Sequence, residues 1–514
     1  MENKSPLTKL SLLCFFTILY NIFFWKEDLG LNLFLFSNFI LVALAYLYQG
    51  NLKNNRLAYL LISGTFLASF AVLYHHSLNS EIAWFISFTA TVSCLQDSAL
   101  RTLWNTWVAF MGNAFISIWN LPKELGKVFS RTTSESKNMK TVRRKTGLLF
   151  VPIIIFSVFY AIFNVANPIF ADYNRQALDA IGQFLETLFI DISFARIVFF
   201  LTGFWILSAV IYRWSDEIAN VFYLTGTDLI VRKRIKRTEY DSKFQNLDLK
   251  NELQIAFLVV ISVNLLLLLI NAIDIRFLWF GFELSADVKL AELVHEGTYM
   301  LIFSILLSMA ILLYYFRKNL NFYNKNAWLK KFAYFWLFQN GILLISVLFR
   351  CYYYISEYGL AYKRIGVILF LSLTLFGLIT FYDKIKNKKS AYYLIHVNSL
   401  AAYILLILMS FVNWDNLIVS FNFQHPKFNV ANAIDIEFTI TRSDSALPII
   451  YANLDKIDST FKISVYEVEG ISYKKINAKE YFKERKKDFL AHQKEISWLS
   501  WNVASARTEE ALKK

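Results

Sequence analysis

Apolar blocks, each about long enough to cross a bilayer, recur along this chain from residue 10 to about residue 412. A transmembrane helix needs roughly 20 mostly apolar residues, and the run 255–272 (IAFLVVISVNLLLLLINA) carries no charge. Lipid has no water to satisfy exposed backbone groups, so such blocks must become helices. The expected fold is therefore all-α: a polytopic transmembrane helix bundle with a short extramembrane C-terminal region. Eleven or so spans are expected, near 10–25, 30–49, 57–74, 82–96, 148–166, 195–213, 254–273, 298–316, 332–350, 365–382 and 391–412.

Charge orders these spans. The formal net charge is +14, but the basic residues lie in the breaks between apolar blocks, where they set orientation and meet anionic headgroups. No basic helix or recognised module points to nucleic acid. Segment 123–147 holds eight basic residues against Glu124 and Glu135. Further basic clusters follow at 232–237, 317–331 and 384–389, and all four are expected in the cytoplasm. Loops 167–194 and 274–297 are rich in Asp and Glu and are expected outside. With the N-terminus inside, the parity places the C-terminus outside and leaves 100–121 as the odd segment. Its Trp104, Trp107 and Trp119 mark it as interfacial or re-entrant rather than spanning. The organisation expected is N-terminal membrane helices over 1–122, the basic loop 123–147, a main bundle over 148–412 and an extracytoplasmic tail over 413–514. Within the tail, 478–499 reads as a charged helix; about a hundred residues are enough for a small folded domain, but helices resting on the outer face of the bundle are expected.

Chemistry is less legible. Cys14, Cys94 and Cys351 lie far apart and have no metal or redox spacing, and no GxSxG, P-loop, GxGxxG or HExxH is present. No cofactor, metal site or catalytic residue is expected, and the reading leans away from an enzyme. Two polar groups stand out. His295, Glu296, Arg350, Tyr358 and Arg364 fall at the outer ends of late helices, with Arg350 closing a span and Arg364 in the loop beyond. Arg recognises carboxylate or phosphate in bidentate fashion, so this set is a candidate site for an anionic headgroup or a small ligand. The competing reading is a set of interfacial ion pairs that fix helix ends. The second group, Asn264, Gln339, Asn340, His396 and Asn398, lies within spans. Amides there bridge helices or line a polar pathway. Mid-span Asp and Glu are essentially absent from these assignments, which argues against proton-coupled transport.

The stretches VHEGTYMLIFSILL (294–307), WLFQNGILLISVLFRCYYYISEYGLAYKRIGV (336–367), NWDNLIVSFNF (413–423), SDSALP (443–448) and SWLSWNVASARTEEAL (497–512) resemble bacterial membrane proteins grouped as domain of unknown function 4173. The related set is domain of unknown function 4153. The resembling pattern includes Arg350, Tyr358-Gly359-Leu360 and Arg364; Ala361 stands where Thr is expected. The resemblance implies a multi-pass protein of the bacterial inner membrane, with the tail belonging to the bundle, and carries over no catalytic residue. A non-enzymatic sensing or scaffolding role, with a protein partner on 413–514, is the expectation. A transporter or lipid-handling protein is the alternative.

Overall fold

The computed structural model describes residues 6–53, 55–129, 160, 163–164, 166–167, 169–176, 193–214, 223–224, 226–232, 249–280, 290–317, 319–428, 430, 434–457, 461–467 and 472–513. The chain forms two compact units. One comprises residues 1–223 with 496–502, the other residues 224–495 with 503–514. Among the described residues, eight helices are long and apolar enough to cross a membrane, and the protein is an all-α polytopic helical membrane protein.

The first unit contains α1 (Pro6–Phe24), α2 (Leu31–Leu47), α3 (Arg56–His75), α4 (Leu78–Gln96), α5 (Leu103–Phe129) and α6 (Phe194–Ile211). Of these α1, α3 and α6 are long and apolar enough to span, and α2 is apolar but shorter. Helices α3 and α4 pack closely because their facing residues are small: Gly64, Thr65, Ala68 and Ser69 on α3, Ala83, Ser87, Ala90 and Thr91 on α4, all buried. The Thr65 and Thr91 hydroxyls meet at 2.7 Å across this interface. Small faces of this kind bring membrane helices together where apolar burial has little to add. The same Ser and Thr residues lower the apolar content of α4, so the expected span 82–96 is a helix that lies outside the eight.

Helix α5 runs beyond the expected segment and carries Pro122. Its Asn113 is buried. The Asn113 amide donates to the carbonyls of Ala209 (2.6 Å) and Tyr212 (2.9 Å), and Gln96 donates to Ala209 and Val210 at 2.9 Å each. These two side chains satisfy the free carbonyls that end α6. The expected span 148–166 lies largely outside the described residues, as do most of loops 123–147 and 232–237.

In the second unit α7 (Leu249–Asp274) continues through a π-turn, Ile275–Trp279, and is followed by α8 (Leu290–Tyr315), α9 (Ala327–Tyr358), α10 (Tyr362–Asn387) and α11 (Ala391–Ser410). Helix α9 is central and packs on α7, α8 and α10, with fully buried Trp336 in the middle of the apolar core. It has 32 residues, well beyond the expected 332–350. Arg350 is therefore two turns inside the helix rather than at its end, and Glu357 sits on the helix rather than in a loop. Arg364 lies in the first turn of α10. The C-terminal stop differs as well. Lys384, expected among exposed cytoplasmic charges, is fully buried and donates to the Phe316 carbonyl at 2.7 Å. It thus caps the carboxyl end of α8, where the helix dipole favours a cation.

The region after 412 has its own core. Helix α12 (Trp414–Gln424), short helices at Ile436–Ile440 and Leu447–Tyr451, an antiparallel hairpin of β1 (Lys462–Glu467) and β2 (Ser472–Asn477), and α13 (Ala478–Glu495) surround it. Val419, Phe423, Ile440, Leu447, Ile450, Ile463, Phe482 and Phe489 are buried together, joined by Leu512 of α14 (Val503–Lys513). The hairpin was not foreseen, and the core fits the small folded domain that the length of the tail allows rather than the surface helices expected. Between α13 and α14, residues 496–502 belong to the first unit. There the Leu31 amide donates to the Trp501 carbonyl at 2.9 Å, and a Cβ on Gly30 would lie 2.5 Å from that same oxygen.

Candidate functional site

Helices α7 and α9 run parallel and share a polar seam. Asn264, Asn271 and Asp274 are spaced by seven and three on α7. Gln339, Ser346, Arg350 and Tyr353 are spaced by seven, four and three on α9. Such spacing places each set on one helix face. Gln339 Nε2 donates to Asn264 Oδ1 at 2.6 Å, and Asn271 Nδ2 donates to the Gln339 carbonyl at 3.1 Å. Further along, Arg350 Nη2 meets Asp274 Oδ1 at 2.8 Å. Trp279 donates to Ser346, and the Tyr353 hydroxyl to the Leu278 carbonyl, closing the seam over the π-turn.

The Asp274–Arg350 pair corrects the sequence reading. Asp274 belongs to a continuous apolar helical stretch, Lys250–Trp279, long enough to span, and its side chain is 8% exposed against 13% for Arg350. Asp274, expected as the first acid of an outer loop, is therefore buried on a helix near the end of a spanning segment. Paired charges out of water need further hydrogen bonds to offset desolvation. Here Asp274 Oδ2 and Arg350 Nε have no partner among the described residues, and neither do Asn271 Oδ1, Gln339 Oε1, Asn340 Oδ1 or Thr298 Oγ1. Each orphaned buried group costs about 1–3 kcal/mol, so this series of orphans calls for an explanation beyond packing.

The residues expected at the outer ends of the late helices separate into distinct roles. Arg350 faces Asp274. Arg364 instead donates from Nη1 to the carbonyls of Tyr358 (2.7 Å) and Gly359, and stacks over the Tyr354 ring, with Cζ 4.4 Å from its centroid. It closes the free carbonyls of α9, while Tyr358 contributes its carbonyl and packs its ring on Tyr354. His295 and Glu296 lie on α8, and their side chains are outside the described residues. Gly297 comes next, and a Cβ there would lie 3.1 Å from Arg350 Nη1, so α8 approaches the ion pair through its smallest residue.

Among the intramembrane amides, Asn264 and Gln339 come together. Asn340 adjoins them on α9 and donates to the Trp336 carbonyl. Asn398 is placed elsewhere: it binds the Thr380 hydroxyl at 2.9 Å, tying α11 to α10. His396 stacks on Tyr392, with Nδ1 unpartnered among the described residues.

A further junction, unseen in the sequence, joins α12 to the turn between α9 and α10. Asn422 is 1% exposed. Its Oδ1 accepts from the Leu360 amide at 2.7 Å, and its Nδ2 donates to the Leu360 carbonyl at 3.1 Å and to Thr439 Oγ1 at 3.0 Å. Gly359 makes this approach possible: its φ is +74° with ψ −164°, a region open in practice only to glycine. Lys427–Glu357 (2.6 Å) and Tyr362–Asp415 (2.7 Å) flank the contact. On the far side of the tail an open groove of about 480 Å³ lies between Asp444 and α13, lined by Glu484, Arg485, Asp488 and His492.

No curated protein and no solved structure matches the chain. A family model does match, over residues 12–453, which takes in the membrane helices, both charged residues of the buried pair, and Asn422 on its docked turn. The chain belongs to the family described as domain of unknown function 4153 (DUF4153).

Proposed function

We propose that this multi-pass membrane protein is a non-enzymatic sensing or scaffolding protein of the bacterial envelope, with its folded tail outside the inner membrane and its N-terminus in the cytoplasm. The observation that carries this reading is the Asn422 junction. A side chain that grips both backbone groups of Leu360 ties the tail core to the turn between two membrane helices, so force or occupancy on the tail reaches the bundle without a flexible linker. The acidic groove beside α13 offers a partner with basic side chains a place to dock, and the basic loops orient the chain and meet anionic headgroups. The C-terminal stretches 443–448 and 497–512 keep the finer resemblance to domain of unknown function 4173 as part of this reading.

Labelling tests sidedness first. With Cys14, Cys94 and Cys351 changed to Ser and exposed Lys487→Cys on α13, an impermeant maleimide should label intact cells. Labelling only after lysis would reverse the orientation and end the envelope reading. Glu484→Lys with Asp488→Lys should then abolish in-cell crosslinking between α13 and a partner protein; undiminished crosslinking would remove the groove from the proposal. The alternative, a transporter or lipid-handling protein, is favoured by one observation, the buried Asp274 with its unpartnered oxygen. Against it, the donors of Asn264 and Gln339 are already spent on helix-to-helix contacts.

A further inference from the structure

Helix α10 begins against the usual rules of helix chemistry. Its N-cap is Ala361, which offers no side-chain acceptor, and no acidic residue occupies its first turn. Lys363 and Arg364 stand there instead. Free amides and the helix dipole already make this end positive, so two cations add repulsion that only an anion relieves.

A cavity of about 190 Å³ opens at this point. It is lined by Lys363 and Arg364 from α10, by Tyr354 from α9, and by Thr298 and Tyr299 from α8, with no carboxylate among the described residues of its lining. Thr298 is 4% exposed, and its hydroxyl has no hydrogen-bond partner among the described residues. A buried donor without an acceptor, two cations and an uncapped helix start converge on one space. Drug-sized ligands occupy roughly 300–1,000 Å³; this cavity suits a phosphate-sized headgroup. Beyond its rim Tyr299, Met300 and Phe303 of α8 are exposed, forming an apolar face along which acyl chains can lie.

We propose that this cavity binds a phosphate anion, presented as the headgroup of an acidic phospholipid. Lys363 contributes its ammonium as a point charge, the Tyr362 and Lys363 amides and the Thr298 hydroxyl donate to phosphate oxygens, the Arg364 and Ile365 amides stay on the Ala361 carbonyl, and Arg364 holds the field while remaining on the carbonyls of α9. This inference is independent of the sensing role and of any partner on the tail.

The test uses the full chain purified in a neutral detergent. Phosphatidylglycerol, phosphatidylcholine with the same acyl chains, and inorganic phosphate are titrated separately, with thermal unfolding and native mass spectrometry as readouts. Phosphatidylglycerol should raise the melting midpoint and be retained at one molecule per chain, with phosphatidylcholine much weaker. Lys363→Gln, an exposed position that leaves packing untouched, should weaken phosphatidylglycerol binding about fivefold, and Thr298→Val should weaken it by a similar factor, with lipid-free melting of Lys363→Gln equal to the parent's or slightly higher because repulsion at the helix start is reduced. If inorganic phosphate alone reproduces the shift and displaces the lipid, the anion site stands and its occupant is a soluble phosphate. Equal effects of the two lipids, or undiminished phosphatidylglycerol binding by Lys363→Gln, would overturn the proposal.

Discussion

Replacing Asn422 with alanine removes three hydrogen bonds at once and leaves the Leu360 amide without an acceptor, in a residue that is 8% exposed. A typical hydrogen bond contributes about 1 kcal/mol net, and an orphaned buried donor costs about 1–3 kcal/mol. The Leu360 carbonyl and Thr439 hydroxyl lose a donor but keep other ways to be satisfied: Thr439 Oγ1 still donates to the Asp435 carbonyl at 2.8 Å. The total is about 3 kcal/mol, which corresponds to roughly a hundredfold rise in the population of the undocked tail. Hydrogen exchange followed by mass spectrometry reads this directly. Amides of α12 and of the segment 436–451 should exchange roughly a hundredfold faster in Asn422→Ala, while α7 and α8 keep their protection. A rise smaller than about fivefold, near 1 kcal/mol, would refute the argument that Asn422 holds the tail on the bundle.

Substitutions at three other places probe the second unit. Asp274→Asn should destabilise the chain by about 3–5 kcal/mol, because Arg350 keeps a buried charge without its partner, whereas Asp274→Leu combined with Arg350→Met should recover most of the loss; detergent thermal unfolding of the single and double variants compares them. Gly359→Ala places a Cβ 2.5 Å from Asn422 Oδ1 at a positive φ and should cost about 1–3 kcal/mol, with α12 exchange accelerated as in Asn422→Ala. Lys384→Met should fall within about 1 kcal/mol of the parent in the same unfolding assay, since Asn321 still donates to the Phe316 carbonyl at 2.8 Å and a buried charge is removed.

The membrane architecture was legible because span length and loop charge are local properties, readable a window at a time. What escaped depended on pairing across distance. Asp274 looked like the first acid of an outer loop because the apolar run stops beside it; only the parallel packing of α7 on α9 brings it to Arg350, 76 residues away. Helix α9 was read too short because Arg350 and Glu357 resemble a polar boundary, yet each is ion-paired within the fold, one with Asp274 and the other with Lys427. The seven-residue spacing of Asn264 and Asn271, matched by that of Gln339 and Ser346, was the available sign of the seam. The contacts of Asn113 were not legible either, because its carbonyl partners at 209 and 212 lie about a hundred residues away. Nothing near Asn422 in the sequence marks it as the residue that grips Leu360. For His295 and Glu296, only their places on α8 are described.

Residues 496–502 have a consequence for how the protein is made. The start of α2 has no side-chain cap on its N-cap residue, Gly30, and the backbone of Trp501 supplies an acceptor there. Trp501 follows Leu31 by 470 residues, so that length of chain must be synthesised before this contact can close. At about 5–20 residues per second, that is a wait of roughly 25–95 seconds. Throughout that time the early helices are inserted but lack their final clasp, exposed to the proteases that survey unfinished membrane proteins. Chains that stop short of Trp501 should be recognised through their first helices rather than through their ragged ends.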